Sequence, residues 1–207
     1  MRKRVSAVVL AAGRAERMGR LKQLLPFGDR TVIETVVQTL LATDVDEIVV
    51  VLGSRVNDVR AVLADLPIRC VVNPDYEAGM FSSVLCGLAH VEADSEGLML
   101  LLGDQPQIRV SVVQVVLDRF RSSDKGIVIP EVEGSRGHPV AIDIGRYGEV
   151  IRALDGSEGL KPLVRGHSAD TELILVQDDA ILRDMDTPED YERELRLRDV
   201  GDRGKNG

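Results

Sequence analysis

The stretch Val5-Ser6-Ala7-Val8-Val9-Leu10-Ala11-Ala12-Gly13-Arg14-Ala15-Glu16-Arg17-Met18-Gly19-Arg20-Leu21-Lys22 passes from an apolar run with one serine straight into a glycine-bounded loop. The run reads as a buried strand, and Arg14, Arg17, Arg20 and Lys22 crowd four cations into nine residues just beyond it. A lone arginine there is an ordinary solvated charge, but four at the end of a buried strand suit a polyphosphate. The dinucleotide fingerprint does not fit, because five residues separate Gly13 from Gly19. The ATPase phosphate loop does not fit either, since Lys22 lies three past Gly19 and is followed by Gln23. What remains is a longer loop able to wrap a triphosphate, with Lys22 reaching the α-phosphate.

Outward from this loop, β-branched apolar runs alternate with amphipathic segments, the pattern of a parallel sheet covered by helices. Strands are expected over 7–11, 47–52, 69–72, 98–102, 126–129 and 172–176, and helices over 31–42, 55–66, 82–93, 110–122, 147–154 and from Thr187-Pro188 onward. Thr31 followed by Glu34 has capping-box spacing, and Pro188 suits a first helical position. The segment 131–143 breaks the alternation: a turn at Glu133-Gly134-Ser135-Arg136-Gly137 between two short extended runs suggests an excursion beside the sheet. One α/β domain is expected over 1–198, with a flexible tail over 199–207.

The chain has 207 residues, 44% hydrophobic and 29% charged, and a formal net charge of −8. That charge, with no basic stripe interleaved with aromatics, excludes nucleic acid as the main partner. No apolar stretch approaches the roughly 20 residues of a membrane span, and Met1-Arg2-Lys3-Arg4 leads into a strand rather than a signal peptide. Cys70 and Cys86 lack metal-ligand spacing and read as small hydrophobes. A cytoplasmic protein is expected, with no membrane partner.

In open parallel sheets, ligands gather beyond the carboxyl ends of the strands. Three further clusters belong there. Leu100-Leu101-Leu102-Gly103-Asp104-Gln105-Pro106 ends an apolar run in a carboxylate, placing Asp104 as a ligand for Mg²⁺, which takes one or two carboxylates plus substrate phosphates. Taken alone, an aspartate there is more often a helix cap. Arg183-Asp184-Met185-Asp186-Thr187-Pro188 supplies the second carboxylate; Asp186 is preferred, although Asp184 could exchange roles with it or Asp186 could cap the last helix. Asn73, Gly79, Ser82 and Ser83 fall between a strand and a helix, where amide, hydroxyl and backbone groups suit a base and ribose, or form ordinary turns.

Together, Leu10-Ala11-Ala12-Gly13 through Arg17-Met18-Gly19 to Lys22-Gln23-Leu24-Leu25-Pro26, Gly79-Met80 with Ser82-Ser83, Gly103-Asp104-Gln105-Pro106, Gly137-His138-Pro139 and Asp186-Thr187-Pro188 resemble the MobA-like NTP transferases, in particular the molybdenum cofactor cytidylyltransferase branch. The resemblance covers residues 5–195. It implies a single three-layer α/β domain of the nucleotide-diphospho-sugar transferase type, Rossmann-related, with a mainly parallel twisted sheet and an antiparallel element. It further implies Mg²⁺, transfer of CMP from CTP to the phosphate of a pterin acceptor with release of pyrophosphate, and a molybdenum hydroxylase or its chaperone as recipient.

Within the resemblance, Ala12 favours CTP, because guanylyl-transferring relatives typically carry glycine there, and Gly137, His138 and Pro139 match a motif on the acceptor side. Lys22, Arg17 and Asp104 are the implied catalytic set; Leu10, Ala11, Ala12, Gly13, Arg14 and Gly19 would line the nucleotide with Lys22. Ala15 departs from the pattern, since the family commonly has serine nearby, and a backbone amide would have to serve in its place. A guanylyltransferase, a sugar- or polyol-phosphate cytidylyltransferase and a non-catalytic cofactor-binding maturation factor are the competing readings.

Overall fold

The computed structural model describes residues 2–13 and 21–203, with side chains described only up to residue 199. Strand β1 (Val5–Ala11) is the first and central strand. A short hairpin follows, β2 (Pro26–Phe27) with β3 (Arg30–Thr31), then α1 (Val32–Leu41), β4 (Glu47–Leu52), α2 (Val56–Val62), β5 (Arg69–Val72) and α3 (Met80–His90). The second half comprises β6 (Gly97–Leu102), α4 (Val110–Ser122), β7 (Ile127–Val132), β8 (Ser135–Arg136), β9 (Val140–Asp143), α5 (Ile144–Ala153), α6 (Lys161–Gly166), β10 (Thr171–Leu175) and α7 (Pro188–Arg203).

The main sheet runs β10-β7-β9-β6-β1-β4-β5, with β8 folded back on β7. Its neighbours are parallel except around β9, which is antiparallel to both β6 and β7. Strand β1 pairs in parallel with β4 on one side and β6 on the other, from Ser6 opposite Glu47 and Val5 opposite Gly97. Because side chains alternate across a strand, Val5, Ala7, Val9 and Ala11 enter the core beneath α1, α2 and α4, while Val8 faces α3, α5 and α6. Each valine so buried is worth about 1.5–3 kcal/mol, so β1 anchors both layers.

The segment 131–143 is not an excursion beside the sheet. Strand β9 inserts between β6 and β7, where Ala141 and Ile142 are fully buried and complete the apolar surface on both faces. Only the β7–β8 turn projects. Helix α1 carries the capping box expected of Thr31 and Glu34, and α7 continues through Gly201 to Arg203, past the boundary expected at 198. Cys70 packs against one apolar core and Cys86 against the other, so the sheet separates them. Burial pushes both thiols up. Among the described residues, no helix is long and apolar enough to cross a membrane.

Two details fix the sheet edge that matters. Gly87 of α3 lies so close to β1 that a Cβ there would come within 2.4 Å of Val8 Cγ1, which brings the helix down onto the sheet. A third apolar cluster, Leu25, Phe27, Val32 and Met185 with Tyr191 and Leu195 against it, docks α7 and the segment before it onto the β2–β3 hairpin.

Candidate active site

At the carboxyl ends of β1, β4, β5 and β6 opens a cleft of about 580 Å³. Its walls are Leu10, Ala12 and Gly13 after β1; Lys22 and Gln23 before the hairpin; Tyr76, Glu77, Gly79, Met80 and Ser83 around the start of α3; Leu102 and Asp104 after β6; and Asp184 and Asp186 before α7.

The acidic wall is assembled from two loops. Gly103 N–H donates to Leu10 O at 3.0 Å, holding the β6 end beside the β1 end and presenting Asp104 to the cleft. Asp104 does not cap a helix, because α4 begins six residues later with Arg109 in the cap position. Asp186 does not cap one either. Thr187 and Asp190 form a reciprocal box at the start of α7, with Thr187 Oγ1 donating to Asp190 Oδ2 at 2.8 Å and Asp190 N–H donating to Thr187 Oγ1 at 3.2 Å. Asp186 thereby keeps its carboxylate for the cleft, where Lys22 Nζ donates to its Oδ1 at 2.6 Å. The same ammonium lies 3.6 Å from Asp104 Oδ2, so one lysine joins the two carboxylates.

Buried Gln105 ties these loops together: its Nε2 donates to Asp184 Oδ1 at 3.1 Å and to Arg183 O at 3.3 Å. Arg183 is held in turn by Glu194 of α7, Nε to Oε1 at 2.9 Å. Burial pushes the Asp104 pKa up; the Lys22 charge works against this, and the nearby carboxylates of Asp184 and Asp186 add to it. A desolvated carboxylate among like charges calls for cationic compensation.

Asp104 and Asp186 are oxygen donors converging on one cation, which fits a hard divalent ion. Among the described residues no three histidine, cysteine, aspartate or glutamate side chains are arranged to hold a metal unaided.

The opposite wall is backbone-rich. Gly79, at φ 105°, makes the turn into α3 that a side chain would strain, and no side chain caps that helix. Its first turn therefore faces the cleft with backbone donors, an arrangement that favours an anion. Ser83 lines the cleft beside it, whereas Asn73 and Ser82 do not. Asn73 Nδ2 donates to Ser82 Oγ at 2.8 Å and Ser83 Oγ at 3.0 Å, and its Oδ1 accepts from Asp75 N–H at 2.9 Å. Its amide ties the loop to the start of α3. Ala11 is likewise buried in the sheet, outside the cleft lining.

The Gly137-His138-Pro139 run also lies outside the cleft lining. It precedes β9, whose register on β6, extended by two residues, would bring His138 alongside Leu102. A Cβ on Gly137 would come within 2.3 Å of Ile181 O, so this glycine serves close packing. Burial pushes the His138 pKa down, opposed by the Asp184 charge. Arg14, Arg17 and Gly19 lie outside the described residues. Sequence reasoning passed over Gln23, Tyr76, Glu77, Met80 and Leu102 as lining residues; each sits next to a strand end or helix start already singled out, so the sheet-edge rule itself was the available signal.

A family model described as the MobA-like NTP transferase domain matches residues 7–171. Nicotine blue oxidoreductase of Paenarthrobacter nicotinovorans is 35% identical over 92% of this chain and 96% of its own length. Molybdenum cofactor cytidylyltransferase of Escherichia coli (strain K12) is 26% identical over 90% of this chain and 93% of its own. Among solved structures, Rv0371c of Mycobacterium tuberculosis H37Rv superposes with a TM-score of 0.84 at 31% identity, covering 95% of this chain and 99% of that one. The same protein has also been solved as a manganese complex, with a TM-score of 0.79 at 30% identity over 94% and 99% of the two chains. With the acidic wall, the helix start and Ala12-Gly13 gathered at one sheet edge, and a family match over most of its length, this chain belongs to the MobA-like NTP transferase family.

Proposed function

We propose that the protein is a Mg²⁺-dependent cytidylyltransferase that moves CMP from CTP to the phosphate of a pterin acceptor of the molybdenum cofactor type. The observation that carries this reading is Lys22 held between Asp104 and Asp186 in a cleft also lined by Ala12-Gly13 and by the start of α3. The 26% identical relative is a molybdenum cofactor cytidylyltransferase, and the resemblance read from the sequence makes Ala12 favour CTP over GTP.

The reaction needs no protein nucleophile. An acceptor phosphate oxygen forms a bond to the α-phosphorus of CTP as the bond from that phosphorus to the β-phosphate bridge oxygen breaks, and pyrophosphate leaves with the electron pair. Lys22 stabilises charge on the α-phosphate; Arg17 and Arg14, with Gly13 and Gly19, would bind the departing β- and γ-phosphates. Asp104 and Asp186 would hold the divalent ion, which would supply neutralisation of phosphate charge. Ser83 and the α3 start orient the nucleotide, and Gly137, His138 and Pro139 border the acceptor. The recipient of the product would be a molybdenum hydroxylase or its chaperone.

A panel of CTP, GTP, UTP and ATP with purified molybdopterin cofactor and Mg²⁺ tests this: pyrophosphate release is expected with CTP ahead of the others. Preference for GTP moves the reading to a guanylyltransferase. The 35% identical relative is named as an oxidoreductase, which gives a second reading, an oxidoreductase activity in the same cleft. Failure to release pyrophosphate from any of the four triphosphates would favour that one.

A further inference from the structure

Strand β4 lies between β1 and β5 in the sheet, so its carboxyl end sits between two loops that form adjoining lips of the cleft. One lip is Ala12-Gly13; the other holds Tyr76. Both rest on the end of β4 and the residues just after it. Ser54 Oγ donates to Gly13 O at 2.9 Å, fixing the first lip. Asn73 N–H donates to Leu52 O at 2.8 Å, fixing the base of the second. Between them stands buried Gly53, where an added Cβ would lie 2.6 Å from Ala12 O and 2.6 Å from Tyr76 Cβ. Neither neighbour is the far end of a flexible chain: one is backbone and the other the stem of an aromatic ring. Any side chain at 53 must drive the lips apart.

We infer that Gly53 and Ser54 are positioning residues for nucleotide binding, Gly53 by letting the lips close to their working separation and Ser54 by holding Gly13, the end of the first lip. This rests on the nucleotide-transfer reading of the cleft. Neither residue touches the reacting atoms, so their effect falls on nucleotide affinity and not on the chemical step. A purely structural role would instead show in thermal stability with kinetics intact.

The test is the full-length protein with Ser54→Ala, Ser54→Thr and Gly53→Ala, each assayed for CTP binding by calorimetry, for KM and kcat in Mg²⁺-dependent pyrophosphate release, and for Tm. Ser54→Ala is expected to raise the CTP dissociation constant and KM together, several-fold, leaving kcat within about threefold of the parent and Tm close to it. Ser54→Thr keeps the hydroxyl and should restore the parent value. Gly53→Ala should raise KM by about tenfold or more, because displacement of a binding wall by a fraction of an ångström is costly. If Gly53→Ala does not fold, the serine pair decides. CTP affinity unchanged in Ser54→Ala, or equally weakened in Ser54→Thr, overturns the inference while leaving the transferase reading standing. Failure of the parent protein to bind any triphosphate sinks that reading, and this inference with it.

Discussion

Replacing Lys22 with methionine should move metal binding and turnover in opposite directions. The ammonium is 2.6 Å from Asp186 Oδ1 and 3.6 Å from Asp104 Oδ2, with Lys22 14% exposed, Asp104 28% and Asp186 49%. Full Coulomb attraction at such separations is about 4 kcal/mol at an effective dielectric of 20, but partial exposure and side-chain ordering reduce measured pairs to around 1 kcal/mol or less. Taking about 1 kcal/mol for each contact, a divalent ion that displaces the lysine forfeits roughly 2 kcal/mol, or about 30-fold in affinity. The nucleotide-free Lys22→Met protein should therefore bind Mn²⁺ about 10- to 30-fold more tightly than the parent, read from the free-ion signal in electron paramagnetic resonance. With CTP and acceptor present, the same variant should lose about 10²-fold in kcat, as expected when a donor aimed at developing phosphate charge is removed. Mn²⁺ affinity equal to or weaker than that of the parent would refute the picture of one lysine compensating both carboxylates.

Asp104→Asn should abolish Mg²⁺-dependent turnover without lowering Tm at neutral pH. Burial raises the folded pKa of Asp104 above its ordinary 3.8, so its contribution to stability is present below that value and lost as pH rises through the raised one; at pH 7 the carboxylate is a cost that asparagine relieves. A sharp drop in Tm for the variant would contradict this. Tyr147 donates to Asp170 Oδ2 at 2.6 Å, and burial, reinforced by that bond, pushes its pKa up to about 12 from 10.0. The parent should lose stability as pH climbs from about 10 through 12, and Tyr147→Phe should be destabilised by about 1.5 kcal/mol at neutral pH while losing that alkaline decline, as read by denaturant titration across pH. Thr187→Ala removes the α7 cap at a cost of about 1 kcal/mol, a fall in Tm of a few degrees, and should raise the Mg²⁺ concentration for half-maximal activity because Asp186 adjoins the cap.

Much of the central architecture was readable from local pattern. Val5 to Ala11 could be read because a strand buried on both faces is apolar almost throughout, and Thr31-Glu34 because a capping box is local chemistry. Strand β9 was misread because four residues between β6 and β7 are specified by partners far along the chain, and an antiparallel insertion leaves no mark of its own on Val140–Asp143. Asp104 at a strand end was legible by the sheet-edge rule; that Lys22 meets it together with Asp186 follows from the docking of Met185 and α7 on the β2–β3 hairpin. The bonds of Asn73 to Ser82, Ser83 and Asp75 were not legible from residue type, because they depend on how the loop brings the start of α3 back to the end of β5. Asp186 as a cap was ambiguous only while Thr187 and Asp190 went unrecognised as a box.

The most direct measurement is a single-turnover reaction of the parent protein and its Asp104→Ala variant with Mg²⁺, a phosphorylated pterin acceptor and CTP labelled on the α-phosphate. The account predicts that label appears on the acceptor in step with release of one pyrophosphate in the parent, and that neither occurs in the folded variant. Label remaining on CTP in the parent, or transfer undiminished in Asp104→Ala, would contradict it.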